Sequence, residues 1–208
     1  MMSGSPLRER QAAVIREAIL DSLARRLDHE DPDSISMPQA AADAGISLRT
    51  LYRYFPTREA MFEAVGDHVV TRLGLPQEIR DAGDIVPVFR ESARLGAQSP
   101  ELMRSMLWTR LGRRARSPHR RRRVEAITAA LAGVTGHLPP AEARRRAGAV
   151  VYLTSLQAWL TVSEECGVSA HDAQQGIAWA IDTLLAELRR ENAAAGTAPP
   201  APGGGHDD

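Results

Sequence analysis

The stretch that decides the fold reads Ser47-Leu48-Arg49-Thr50-Leu51-Tyr52-Arg53-Tyr54-Phe55-Pro56-Thr57-Arg58. It predicts a short helix, because Ser47 is a favourable N-cap, Gly45 permits a tight turn before it, and Pro56 ends it. At about 100° per residue, Leu51 and Phe55 face a core, with Leu48 close beside them. The solvent side carries arginine, threonine and tyrosine groups that suit base edges and phosphates. These groups, and above all two tyrosines at the solvent edge, favour DNA contact over an ordinary amphipathic surface helix.

The residues before this helix predict the other half of a DNA-binding unit. Ser36 can cap a helix that begins at Met37 and Pro38, and the alanine-rich segment Gln39 to Ala44 allows a crossing helix to approach closely. A short glycine-containing turn then leads into the second helix, which is the helix-turn-helix arrangement. A long supporting helix is predicted upstream, from Gln11 to Asp28, by apolar residues at i+4 spacing: Ile15, Ile19, Leu23 and Leu27.

The run from Ala44 to Ala60 resembles the signature of the TetR family of bacterial regulators, above all through Leu-Tyr-x-Tyr-Phe-Pro. The resemblance covers roughly residues 10 to 70, and Arg58 stands where the family usually has lysine. It implies an all-α homodimer that binds a palindromic double-stranded DNA operator and takes a small molecule in its C-terminal domain. It also implies phosphate contacts at Tyr52, Tyr54 and Arg58, base contacts at Leu48, Arg49, Tyr52 and Arg53, and a backbone contact at Ser36. The expected DNA-binding set is Ser36, Ser47, Leu48, Arg49, Thr50, Tyr52, Arg53, Tyr54 and Arg58.

The rest of the chain is predicted to be helical, since no useful alternating run indicates a strand. Interruptions by proline and glycine delimit helices near 57–73, 84–98, 101–115, 119–135, 140–166 and 170–192. The expected fold class is all-α, with an N-terminal three-helix helix-turn-helix DNA-binding domain followed by a larger helical ligand-binding and dimerisation domain. The corresponding segments are a flexible N-terminus (1–9), the DNA-binding domain (10–70), the effector-binding and dimerisation domain (71–192) and a disordered tail (193–208).

Composition and charge restrict the function further. The chain has 208 residues, a net charge of zero, 26 arginines without a single lysine, and one cysteine, which excludes an intramolecular disulfide framework. Residues 1–68 hold 8 arginines against 11 acidic residues, whereas residues 43–58 hold three arginines and one aspartate. A local basic face is therefore expected rather than a large positive field. No apolar stretch is long enough for a membrane helix and no signal segment is evident, so a soluble cytoplasmic protein is expected.

Enzymatic functions are poorly supported by the sequence. The six histidines are scattered, with no pair at helical i+3 or i+4 spacing, and Cys166 has no partner for a metal site. No glycine-rich phosphate loop follows a strand. We therefore expect no catalytic residue, no metal and no cofactor.

Two apolar stripes near the end of the chain predict buried helix faces. Burial within one chain and burial against a second chain are both compatible with the pattern. The resemblance implies that the last two helices pair with those of a partner subunit, and a dimer would hold two recognition helices at a fixed spacing. The expected dimer-interface residues are Val151, Ser155, Ile177, Ile181, Leu184, Leu185 and Leu188.

Methionine and aromatic residues at helical spacing supply candidates for an effector pocket, although such residues are more often plain core. Arg110, close to Trp108, would favour an anionic ligand. The candidates are Met103, Met106, Leu107, Trp108, Arg110, Leu111, Tyr152, Leu156 and Trp159.

A run of eight arginines within residues 110–123, with no acidic residue among them, is a further unusual feature. It is compatible with a solvated helix junction, a secondary contact to DNA backbone, or an anion site. The resemblance places this region far from the operator and therefore favours the solvated junction.

Two functions remain open at this point. The first is a ligand-released transcriptional repressor, and the second is a helical protein-interaction module that keeps the fold but has no small-molecule inducer.

Overall fold

The computed structural model describes residues 6–27, 34–76, 78–109, 112–113 and 116–197, and the side chains of residues 6–9 and 197 lie outside that description. Within these ranges the chain forms ten α-helices and no strand, which confirms the all-α fold class. The helices are α1 (Pro6–Leu27), α2 (Met37–Asp43), α3 (Leu48–Tyr54), α4 (Arg58–Arg72), α5 (Ile85–Gly96), α6 (Pro100–Trp108), α7 (Ser117–Thr135), α8 (Pro140–Leu153), α9 (Leu156–Glu165) and α10 (Ala170–Thr197).

The chain divides into two compact units. The first consists of Met1–Gln77 and Arg90–Val124, and the second of Glu78–Phe89 and Glu125–Asp208. The first unit contains α1–α4 together with α6, which packs against α1. The second contains α8, α9 and α10, which pack against one another.

The core of the first unit follows the predicted apolar positions of α1. Ile19, Leu23 and Leu27 are buried, whereas Ile15 is 36% exposed because it lies a turn beyond the covered part of the helix. Polar contacts also fix α1 against its neighbours. His68 Nε2 of α4 lies 2.8 Å from Asp21 Oδ1, and Arg26 of α1 pairs with Asp43 at the end of α2.

Helix ends differ from the predicted ones where the local signal is weak. Helix α1 begins at Pro6 rather than near Gln11, and proline is well tolerated in a first turn. Helix α10 continues to Thr197 rather than ending near 192, because three consecutive alanines have a high helix propensity. The rest of the predicted disordered tail, from residue 198, lies outside the described residues.

Two predicted helices were wrong as single elements. The helix predicted over 101–115 ends at Trp108, and the next described helical residues are 112 and 113. The helix predicted over 140–166 is interrupted at Thr154 and Ser155. Ser155 accepts a hydrogen bond from the Ala158 backbone N–H at 3.1 Å, so it starts a new helix as an N-cap.

The second unit is held together by an apolar core and by a charged network at its surface. Trp159 is 2% exposed and donates its indole N–H to the carbonyl of Ala170 at 2.8 Å, which fixes α9 against the start of α10. Arg146 of α8 bonds both Glu142 of the same helix and Glu191 of α10. The polar network thus joins the two helices that the apolar core also joins.

Candidate nucleic-acid interface

Helix α2 is fixed at its start by the predicted cap. Ser36 Oγ accepts from the Gln39 backbone N–H at 3.4 Å, and the Ser36 backbone N–H donates to Gln39 Oε1 at 3.1 Å. This reciprocal arrangement is a capping box, which satisfies two backbone donors at the helix end. Ser36 itself is exposed, so its side chain stays accessible at the edge of the unit.

The turn between α2 and α3 depends on Gly45, whose φ of 66° lies in the left-handed region. The N–H groups of Ala44 and Ile46 bond back to carbonyls of α2, at 3.2 Å to Ala40 and 3.0 Å to Ala41. Such bonds satisfy the last carbonyls of a helix and reverse the chain sharply. The turn thereby fixes the angle at which α3 leaves α2.

Helix α3 is capped and anchored as predicted. Ser47 Oγ accepts from the Thr50 N–H at 3.1 Å and lies 2.8 Å from Thr50 Oγ1. Leu51 and Phe55 are buried, at 0% and 2% exposure. The hydroxyls of both Ser47 and Thr50 are therefore committed to the cap, although Ser47 remains exposed and Thr50 half-buried.

The opposite side of α3 is uncovered. Arg49 and Arg53 are exposed, Tyr52 is 47% exposed, and the Arg53 guanidinium lies 5.3 Å from the centre of the Tyr54 ring. Leu48 is 39% exposed, so its predicted place beside the core was wrong. It lies only about 20° from Phe55 around the helix axis but at the first position of the helix, so its exposure follows from its place at the helix end and not from its direction. Its exposure leaves an apolar group beside the two arginines.

Arg58 has internal partners that the sequence pattern did not indicate. Its Nε donates to the carbonyl of Ile35 at 2.9 Å, and its guanidinium lies 5.2 Å from the centre of the Phe62 ring. Ile35 directly precedes the α2 cap, so this side chain joins the start of α4 to the start of α2. A contact between positions 23 residues apart leaves no local signature.

The predicted effector-pocket residues belong to both units. Met103, Met106 and Leu107 are buried on α6 in the first unit, while Trp108 is 39% exposed. In the second unit Trp159 is buried, Leu156 is half-buried and Tyr152 is 57% exposed. Arg110 and Leu111 lie outside the described residues.

The predicted dimer residues divide into core and surface. Ile177, Ile181, Leu185 and Leu188 are buried within the single chain, which makes them part of the core of the second unit. Val151 and Ser155 are half-buried. Leu184 is 38% exposed, and Trp179, which neighbours the predicted stripe, is 71% exposed. Trp179 and Leu184 are thus the large apolar side chains of α10 that remain exposed.

A capped helix, a glycine turn and a second helix with exposed arginines and tyrosine define a helix-turn-helix of the DNA-binding transcription-regulator class. Residues 19–65 match the family described as "Bacterial regulatory proteins, tetR family". An uncharacterised HTH-type transcriptional regulator of Mycobacterium tuberculosis (strain H37Rv) is 32% identical over 157 residues, which are 72% of this chain and 78% of that protein. The chain belongs to the TetR family of transcriptional regulators.

Other similarities are narrower or concern the fold alone. The nucleoid occlusion factor SlmA of Cronobacter sakazakii is 38% identical over 65 residues, covering 29% of this chain and 33% of that protein. A TetR transcriptional regulator of Rhodococcus sp. RHA1 superposes with a TM-score of 0.51 at 23% identity, over 84% of this chain and 98% of that one. A tetR-family regulator of Streptomyces coelicolor gives a TM-score of 0.53 at 15% identity, over 88% and 90%.

No helix among the described residues is both long and apolar enough to span a membrane.

Proposed function

We propose that this regulator is a cytoplasmic repressor that binds a palindromic operator as a homodimer and is released by a small-molecule effector. The observation that carries the proposal is the geometry of α3. Its buried residues, Leu51 and Phe55, hold the helix on the first unit, and its uncovered side presents Arg49, Tyr52 and Arg53. Exposed arginines can donate two hydrogen bonds to guanine in the major groove.

The two arginines of α3 and the residues at its edges have different proposed roles. Arg49 and Arg53, with Leu48 and Tyr52, read base edges. Tyr54 and Arg58 bind phosphates, as do the exposed Ser36 and Ser47 and the half-buried Thr50. Phosphate contacts position the helix and base contacts select the sequence. With zero net charge, the chain relies on this local face more than on long-range attraction.

The homodimer is supported by the uncovered apolar side chains of the second unit. Trp179 on α10 and Tyr152 on α8 are 71% and 57% exposed. Large exposed aromatic groups on a helical surface are typical of protein–protein contacts. In this proposal Leu184, Val151 and Ser155 lie at the interface, while Ile177, Ile181, Leu185 and Leu188 support it from beneath.

A footprint on DNA flanking the protein's own coding region tests the proposal directly. We expect two protected half-sites related by two-fold symmetry and separated by about one helical turn, 10 to 10.5 base pairs. Addition of an effector should remove the protection, since the coupling free energy in such systems is about 1–3 kcal/mol. A protein that protects no DNA would contradict the repressor assignment.

The second candidate is a protein-interaction module with the regulator fold and no small-molecule inducer. The burial of Met103, Met106, Leu107 and Trp159 favours it, because each of these candidate pocket residues also serves as core. Protection of an operator that no acidic or lipophilic metabolite relieves would support this alternative.

A further inference from the structure

Three arginine side chains follow one face of the chain where it enters α7. Arg116, Arg120 and Arg123 are spaced by four and three residues, and the Arg120 N–H bonds the Arg116 carbonyl at 2.9 Å, so all three share one helical register. The first turn of α7 contains no acidic residue. All three residues belong to the first unit.

The base of this cluster is fixed against the end of α6. Arg116 donates from Nε to the Met106 carbonyl at 2.8 Å and from Nη2 to the Leu107 carbonyl at 3.3 Å. Gly112 lies so close to α6 that an added Cβ would be 2.5 Å from the Met106 carbonyl oxygen. Gly112 and Arg116 therefore lie tightly against the end of α6, and Arg116 is held in place rather than extended into solvent.

The cluster places several positive charges close together and partly out of contact with water, where each charge is less stable than in solution. Arg116 and Arg123 are half-buried. Burial, and then the neighbouring guanidiniums of Arg120, Arg123 and Arg113, lower the pKa of Arg116 to about 10. Burial and Arg120 also lower the pKa of Arg123. The amino end of α7 adds the positive end of a helix dipole. A bound anion would offset the repulsion between these guanidiniums and their unfavourable interaction with the helix dipole.

We propose that Arg116, Arg120 and Arg123 bind the carboxylate or phosphate group of a small acidic molecule. The inference rests on the proposed function in one respect, since it takes this molecule to be the effector. A solvated junction would not need Arg116 and Arg123 to be half-buried. A duplex backbone would need all three side chains to extend into solvent, whereas Arg120 is exposed and Arg116 and Arg123 are half-buried.

The first two turns of α7 also contact α4. His119 Nε2 lies 2.5 Å from Asp67 Oδ1 of α4, and Arg122 Nη2 lies 3.4 Å from the same oxygen. Arg58, at the other end of α4, joins that helix to the start of α2. Arg120, which would hold the anion, is thus adjacent in sequence to His119, and His119 contacts α4.

Calorimetric titration of the full chain at constant ionic strength tests the site, with pyrophosphate and citrate as separate probes and chloride as background. We expect saturable binding of at least one probe, which also tells phosphate from carboxylate chemistry. Arg120→Gln should weaken it by about tenfold or more, since a charge-assisted hydrogen bond is lost. Arg121→Gln, an equal charge change on an exposed neighbour, is the matched control and should stay within about twofold.

Two results would overturn the site: no saturable binding beyond chloride, or an equal loss in the Arg120→Gln and Arg121→Gln variants. Arg120 is exposed, so its substitution leaves the fold intact, and a melting temperature checks this. DNA binding measured over a range of salt separates the site from the proposed function. An unchanged salt slope in Arg120→Gln supports the anion site, and a slope reduced by about one would assign Arg120 to DNA instead. Probe binding by a chain that binds no operator would refute the repressor and leave the site standing.

Discussion

At the scale of single residues, Arg58 and Leu48 show how the surface of a DNA-binding unit is divided between folding and recognition. Arg58 uses Nε for the Ile35 carbonyl and covers the Phe62 ring, so part of a proposed phosphate contact is also a structural tie. Leu48 is exposed although its neighbour Leu51 is fully buried. One apolar residue therefore anchors α3, and the other is available to touch a base.

Arg58→Ala should lower both stability and DNA affinity. Loss of the bond to Ile35 and of the contact with Phe62 should cost about 1–2 kcal/mol of unfolding free energy. The proposed phosphate contact would be lost as well, which should weaken all DNA sequences alike. Arg58→Lys, the control, keeps the charge and should recover most of the affinity but only part of the melting temperature. A melting temperature unchanged in Arg58→Ala would contradict the structural part of this account.

At the scale of helices, caps and ion pairs decide where elements begin. The predicted caps Ser36 and Ser47 accept hydrogen bonds from the third residue of the helix that follows, and Thr57 does the same at the start of α4. Local chemistry of this kind is readable in a sequence, because the cap lies within one turn of its partner. The break at Thr154 and Ser155 was missed because an apolar periodicity continues across it, even though Ser155 is itself a good cap.

The network of α8 and α10 predicts an acid-sensitive contribution to stability. Hydrogen bonds from Arg145 and then Arg146 hold the pKa of Glu142 below its ordinary value of 4.5. A carboxylate with a lowered folded pKa stabilises the protein above its unfolded pKa, and that contribution is lost as pH falls through the folded value. Glu142→Gln should therefore melt slightly below wild type at neutral pH, and the difference should close below about pH 4.

The measurement is a series of melting temperatures between about pH 3 and pH 7. Glu125→Gln, on the exposed side of α7, is the control for a simple change of net charge. A difference between wild type and Glu142→Gln that persists unchanged into acid would contradict the role given to this network.

At the scale of the whole molecule, the sequence predicted the all-α fold class and the position of α3, but it did not predict which apolar helix faces are buried within the chain. Helical periodicity cannot distinguish a face buried in the same chain from one buried by a partner. Ile177, Ile181, Leu185 and Leu188 belong to the core of the second unit, and Trp179 on the same helix is exposed. Likewise, the internal partner of Arg58 depends on the packing of distant segments.

Trp179→Ala should weaken the proposed homodimer without unfolding the chain, since the side chain is 71% exposed. Aromatic residues central to an interface typically contribute 2 kcal/mol or more on truncation, roughly a thirtyfold change in the dimer dissociation constant. Analytical ultracentrifugation measures this dissociation constant. Val14→Ala removes an apolar side chain that is 65% exposed on α1 in the first unit and is the matched control. Equal dissociation constants for wild type and Trp179→Ala would remove this tryptophan from the interface.

The most direct test of the account is to measure how Arg49→Ala and Arg53→Ala change DNA sequence preference. The footprinted operator is varied one base pair at a time, and binding is measured by fluorescence anisotropy. Each variant should lose discrimination at one or two base pairs in each half-site, by about 1–3 kcal/mol, and at symmetric positions. Wild-type discrimination in both variants would contradict the assignment of α3 as the helix that reads the operator.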